Sequence, residues 1–405
     1  MKNLSPQYAD IRSHELRDRI VVTLTILIGY IIARQIPLTF VDIQAMEGQT
    51  INAETLLTNL ISGDRYRHSI MALGLMPYMA SMIISMLAFA IIGKEMRSRV
   101  SPRKRERLSF ILTVIIALIQ ARSRADELTY VQNAPDLIFV KAVVIIEMVA
   151  MAVALQCVLM WNQKRGLGGM MPVMIVNLID TLIRSLAGVD LESIQMLLFI
   201  TFVGVVVTLI MEIYLVKIPV QRVSIHNEYA DKNYIAYKLN PIGLMPIMFA
   251  TAIFTLLKLL FELINNLLPN VTLESILQVM DLSQPVGVLI YLGVVLLLTL
   301  SFAMLMLSPG SAAEDLQKGG DSIVGVYAGK PTARFLRLRL LAISLLSAFV
   351  MIVFMGLSLM QALNGTVATQ IAMLPSTAMM LVSFFCTIVI EISSYRRFDS
   401  YKPFI

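Results

Sequence analysis

Charge is scarce in this chain. Only 15% of its 405 residues are Asp, Glu, Lys or Arg, against about 25% in an ordinary soluble domain. With 57% apolar residues and a mean hydropathy of +0.77, a water-soluble globule is excluded. Cysteine is almost absent. Cys157 and Cys386 both lie in apolar runs, which excludes a disulfide framework and makes each a small buried hydrophobe. The three histidines, His14, His68 and His226, are scattered, and "HELRD" lacks the second His of a zinc-protease motif. "GVYAGKPT" sets only three residues between Gly325 and Gly329 and has Pro331 where a phosphate loop needs Ser or Thr. The sequence thus offers no enzyme site and calls for no cofactor or metal. The opening stretch MKNLSPQYADIRSHELRDR is too long and too charged to start a cleaved signal peptide. It reads as a cytoplasmic helix over 1–19.

Long apolar runs fill the space that charge leaves. About 20 apolar residues cross a bilayer core, and ten such segments are expected near 20–36, 69–92, 108–121, 137–160, 171–187, 194–215, 241–264, 285–307, 338–357 and 370–392. The fold class is therefore an all-α polytopic membrane protein. With the N-terminus in the cytoplasm, cytoplasmic segments hold 25 Lys and Arg and the opposite side holds 5. That asymmetry is the positive-inside pattern, and missing one span would destroy it. Both termini are then cytoplasmic, with a tail over 393–405 and large cytoplasmic loops over 216–240 and 308–337. The net charge of +6 reports topology and membrane lipids rather than nucleic acid; the seven basic residues of Gly93–Arg107 suit anionic headgroups or an acidic partner face.

The tetrapeptide Gly-Leu-Met-Pro occurs at Gly74–Pro77 and again at Gly243–Pro246, 169 residues later. A cut at the short loop 188–193 leaves five spans on each side, over 20–187 and 194–392. Five is odd, so the two halves are inverted, and the copies fall in the second span of each. Matching features in inverted halves point to a site where the halves meet. The prolines are expected to interrupt and kink those spans. Intramembrane ionisable groups include Lys258 with Glu262 and Asp180 with Arg184, both at i,i+4 spacing near span ends, and Lys141, Glu147, Glu212 and Glu391. Arg34 is placed to snorkel from a span end. No line of such groups crosses the midplane, which argues against a proton-coupled carrier. A small-solute transporter with inverted repeats remains an alternative at this point.

Six stretches run in the same order as motifs of one family: "RQIPLTFVD", "SGDRYRHSIMALGLMPYMASMII", "QKRGLGGMM", "KIPVQR", "LNPIGLMPIMFATAI" and "VYAGKPTARFL". Together they resemble the SecY family of protein-conducting channels. The resemblance implies a clamshell of ten helices, an hourglass pore closed by an apolar ring, a plug, and a lateral gate between the second and seventh spans. It implies an unfolded preprotein as client, a SecA-type motor ATPase, and small SecE-like and SecG-like membrane subunits. Carried over by position, the ring is Leu75, Met79, Met171, Ile175, Met248 and Met380. The plug falls within 54–68, with Glu54, Leu56, Leu57, Leu60 and Ile61. Gate positions are Ala80, Ile83, Ile253 and Leu256. Motor-docking positions are Lys217, Arg222, Tyr327, Ala328, Lys330 and Arg334. Methionine is unbranched and adaptable, which suits a ring that seals around varied chains; 27 methionines also place some there by composition alone.

Three departures separate this chain from the housekeeping pattern. Tyr327-Ala328 replace an Arg-Pro pair, the loop after the sixth span is diluted in basic residues by Glu228 and Asp231, and the fifth span opens on Gly-Gly-Met-Met-Pro. They favour the accessory Sec system paralogue of Gram-positive bacteria, which exports large Ser-rich glycosylated adhesins with its own motor. A divergent housekeeping SecY is the runner-up.

Overall fold

The computed structural model describes residues 15–42, 68–91, 100–131, 136–186, 194–222, 233–267, 277, 279–280, 282, 284–363 and 369–400. The expected plug residues lie outside these. Twelve helices and three strands follow in order among the described residues: α1 (Glu15–Ala33), α2 (Met76–Ile91), α3 (Pro102–Glu127), α4 (Leu137–Arg165), α5 (Met171–Leu186), α6 (Gln195–Ile213), β1 (Leu215–Arg222), β2 (Tyr234–Lys238), α7 (Met245–Leu267), α8 (Pro285–Leu307), α9 (Pro309–Lys318), β3 (Asp321–Ile323), α10 (Lys330–Leu363), α11 (Thr369–Ala372) and α12 (Leu374–Ser400). Ten of the helices, α1 to α8 with α10 and α12, overlap the ten expected segments. Seven are long and apolar enough to cross a membrane; α2 and α5 are shorter apolar helices. Helices overrun the expected limits where loops were read: α3 covers 26 residues, α10 starts at Lys330, and α12 carries the tail as helix to Ser400. Hydropathy marks the apolar stretch of a helix and is blind to its polar extensions.

The chain packs as two compact units. The first holds Met1–Val189, Ala252–Leu277 and Phe384–Ile405; the second holds Asp190–Thr251 and Gln278–Ser383. Helices α7 and α12 are thus each shared between the units.

In the first unit, Ala117, Ala121 and Ala125 form an i,i+4,i+8 stripe on α3. They pack in one cluster with Val144, Met148 and Ala152, the same spacing on α4. Small residues let two membrane helices approach closely, gaining contact where no hydrophobic effect drives them together. The "RQIPLTFVD" stretch leaves α1 as extended chain and pairs through Ile36 and Leu38 with Ile70 and His68.

In the second unit, α8 packs along α10 and buries Tyr291, Val295 and Phe302 completely. Phe249 of α7 meets Phe302 edge to face at 5.2 Å, the arrangement ring quadrupoles favour. Ser308, left-handed at φ 37°, ends α8, and Pro309 starts α9 at once. The membrane fold is all-helical as expected, and the loops over 216–240 and 308–337 add a small three-stranded antiparallel sheet in the order β2-β1-β3. Val220 pairs with Ile323 and Ile218 with Ile235, placing Ile218, Val220 and Ile323 on one buried apolar face. Pro219 is tolerated because Val220 donates to Asn233, leaving Pro219 at a position of the β1–β2 pair where no donor is required. The strands are short and Pro219 interrupts the longest of them, so the loop hid them.

Many large apolar side chains on the helices face outward, among them Ile28, Phe199, Phe202, Leu289, Leu297 and Phe349. In water such a surface would aggregate; in a bilayer it is the lipid-facing surface.

Candidate functional site

The two Gly-Leu-Met-Pro copies share one backbone geometry. Gly74 and Gly243 are left-handed, at φ 51° and 68°, a region open to glycine at little cost. The next residue, Leu75 or Leu244, is buried, and the helix begins at the following Met. The expected kink is therefore corrected: Pro77 and Pro246 occupy the second position of α2 and α7, where the amide lost to proline has no helical partner in any case. Leu75 accordingly sits in the turn before α2 rather than on it. The same opening recurs at α5 (Met171-Pro172) and α12 (Leu374-Pro375). Proline occupies one of the first two positions in eight of the twelve described helices, but the apolar Met-Pro or Leu-Pro form marks only α2, α5, α7 and α12. All six ring positions lie within five residues of these four prolines. All four dipeptides are legible in the sequence.

Leu75, Met79, Met248 and Met380 are buried, and Met171 and Ile175 are half-buried. The start of α5 is built with particular care. Gly166 ends α4, and left-handed Gly168 and Gly169 (φ 69° and 57°) turn the chain. Buried Asn162 donates from Nδ2 to the carbonyls of Leu167 (3.1 Å) and Gly169 (2.6 Å). Leu167 N donates to Thr23 Oγ1 on α1 (2.8 Å), Arg19 Nη1 to the Gly166 carbonyl (3.1 Å), and Gly168 N to Glu391 Oε2 on α12 (3.0 Å). A Cβ at Gly166 would lie 1.8 Å from Asn162 Oδ1. The "QKRGLGGMM" stretch is thus a turn clamped from three helices.

Of the gate positions, Ala80 and Ile83 on α2 are buried and Ile253 and Leu256 on α7 are half-buried. Near the C-terminal ends of α3 and α7 the first unit has a cleft of about 230 Å³, with Arg122, Asp126, Glu127 and Glu262 in its lining. Lys217, Tyr327, Ala328, Lys330 and Arg334 of the docking positions are exposed. Lys217 stands over the Tyr234 ring at 4.8 Å, Arg222 pairs in register with Asp321, and Tyr327 is 88% exposed. Lys330 and Arg334 occupy the first turns of α10. The β1–β3 pairing thus joins the two loops that carry these residues. Beneath, burial pushes the Tyr237 phenol above its ordinary pKa.

The expectation for Arg34 changes, and Lys141 and Glu147 gain partners. Asp180 pairs with Arg34 (3.1 Å), whose Nη1 also donates to Asn177 Oδ1 (3.0 Å), so Arg34 is buried rather than snorkelling. Lys141 pairs with Asp126 of α3 (2.5 Å), and Glu147 accepts from the amide and hydroxyl of Thr39.

The architecture is that of a known class. A structure described as "The structure of a protein conducting channel" superposes with a TM-score of 0.68 at 16% identity, covering 95% of this chain and 93% of that one. Sec61 in the canine ribosome-channel complex from the endoplasmic reticulum gives 0.64 at 15% identity, with the same coverage. The SecY family model matches residues 69–391, and the chain belongs to that family. It is a multi-pass, protein-conducting channel subunit of SecY type and not an enzyme. Relatives include the "Accessory Sec system protein translocase subunit SecY2" of Streptococcus sanguinis (strain SK36), 28% identical over 397 residues, 95% of this chain and 96% of the relative. That of Staphylococcus carnosus (strain TM300) is 27% identical over 354 residues, 85% and 92% of the two chains.

Proposed function

We propose that this chain is the channel subunit of an accessory protein-export translocase in a bacterial plasma membrane. Its ten helices span the membrane as two inverted halves of five, 20–187 and 194–392, with both termini cytoplasmic. The observation that carries the reading is the recurrence of one helix opening, Met-Pro or Leu-Pro, at α2, α5, α7 and α12, with every ring position beside it. Leu75, Met79, Met171, Ile175, Met248 and Met380 close the pore, residues 54–68 plug it, and Ala80, Ile83, Ile253 and Leu256 line the lateral gate.

The motor is a dedicated SecA-type ATPase that meets Lys217, Arg222, Tyr327, Ala328, Lys330 and Arg334. An exposed tyrosine at Tyr327 replaces a cation with an aromatic anchor, the kind of residue that dominates interface energetics, so a matching motor is required. SecE-like and SecG-like subunits complete the channel, and the client is unfolded polypeptide, in particular large Ser-rich glycosylated adhesins. Family membership sets aside the small-solute carrier, and the accessory relatives favour this reading over a housekeeping channel. Deleting the gene and following secretion tests it. Retention of the Ser-rich client with general secretion intact is expected; a general secretion defect would establish the housekeeping reading instead.

A further inference from the structure

Glu212 is the most enclosed carboxylate among the described residues, with a side chain 1% exposed near the end of apolar helix α6. A charge in such a place is costly unless it is paired and hydrogen-bonded. Here its partners come from three further elements. Ser383 Oγ of α12 donates to Oε1 at 2.6 Å, Asn240 Nδ2 donates to the same oxygen at 3.0 Å, and Lys238 Nζ of β2 lies 3.3 Å from Oε2. Asn240 in turn accepts from Ser347 Oγ of α10 at 2.8 Å, and its own amide donates to the Met211 carbonyl at 3.1 Å. A Cβ built at Gly243 would sit 3.8 Å from Glu212 Oε1 and 3.6 Å from Ser383 Oγ, so the second Gly-Leu-Met-Pro turn lies directly on the carboxylate.

The partners are not scattered. Asn240 and Gly243 lead straight into α7, whose first turn bears Met248. Ser383 stands three residues after Met380, on the same face of α12. Both ring residues of the second unit are therefore carried by segments that this one carboxylate holds. Removing one partner of a buried charged network is costly, because it leaves the others unpaired, whereas the network as a whole adds little net stability. What such a network supplies here is a fixed geometry.

We propose that Glu212 is a positioning residue of the channel: it sets the starts of α7 and the Met380–Ser383 turn of α12 against α6, and so holds Met248 and Met380 where they seal the ring. The inference rests on the proposed ring. The same contacts connect Lys238, on the sheet that bears the docking residues, to that seal, so the carboxylate adds a second tie between the β1–β2 hairpin and α7 beside the chain itself.

The test is resting ion conductance of the full channel with its small subunits, reconstituted in planar bilayers without motor or client. Glu212→Ala raises resting conductance by about tenfold, as a comparable shift in the closed-to-open population would. Glu212→Gln, which keeps an oxygen for Ser383 and Asn240, restores the seal. A bulk structural role would lower membrane yield without opening the resting channel. Ser383→Ala removes the 2.6 Å bond, leaves Asn240 and Lys238 on the carboxylate, and leaks less than Glu212→Ala, which keeps the test available if the latter fails to assemble. Met79→Gly is the direct probe of the ring. If Met79→Gly leaks while Glu212→Ala and Ser383→Ala conduct like wild type, the inference is overturned and the ring stands. If Met79→Gly stays sealed, the ring reading falls and the inference with it.

Discussion

At the residue scale, the turns before the helices carry more of the architecture than the apolar runs do. Gly243 has room for a methyl group, with its nearest neighbours at 3.6 and 3.8 Å. Gly243→Ala should therefore cost only the strain of its positive φ, about 1–2 kcal/mol, read from denaturation in detergent. Gly166→Ala has no such room, and substitution there should abolish assembly rather than weaken it. Asn162→Ala leaves the Leu167 and Gly169 carbonyls without their buried donor and should cost about 2–3 kcal/mol in the same measurement. Repair by Asn162→Asp is not expected, because a carboxylate cannot donate to those carbonyls. The glycines of "QKRGLGGMM" were legible as a turn from sequence, and so was the family motif. Their clamp was not, since Thr23, Arg19 and Glu391 lie far away in the chain and only packing brings them together.

At the scale of elements, ten apolar helices were readable because hydropathy and loop charge constrain each other. What escaped was polar or short: the ends of α3, α10 and α12, and the sheet. Strands of three to eight residues, the longest interrupted by Pro219, give neither helix nor strand periodicity in a window long enough to notice. The sheet makes its own prediction. Ile323→Asp places a charge on the face shared with Ile218 and Val220, so β3 should detach and the two docking loops separate. Motor affinity measured by flotation with proteoliposomes should fall about tenfold or more, an interface loss of at least 1.4 kcal/mol, while Gln221→Ala on the opposite face leaves it unchanged. The Arg34–Asp180 pair gives another. Asp180→Ala should destabilise the first unit by roughly 2–3 kcal/mol, less than a wholly buried pair because Asp180 is 26% exposed. The double change Arg34→Met with Asp180→Leu should recover most of it, since a buried guanidinium without its carboxylate is worse than neither.

At the scale of the whole molecule, the proposed inverted repeat rests on more than one duplicated tetrapeptide, because four helices share its apolar proline opening. The identity of Gly-Leu-Met-Pro in both copies matters less than its geometry: left-handed glycine, buried leucine, and a proline that starts a helix instead of bending one. That distinction could not be read from sequence, because a proline in an apolar run is equally compatible with a kink inside a span and with the first turn of a shorter helix. The central claim is that these openings surround a polypeptide path. It is tested most directly by stalling a Ser-rich client segment in the channel together with its motor, with single cysteines replacing Met79, Met171 and Met248 in turn and one cysteine in the client. The account predicts disulfide cross-links from all three positions to the stalled chain, and none from a cysteine replacing lipid-facing Phe199. Absence of a cross-link at all three, with the client still exported, would contradict it.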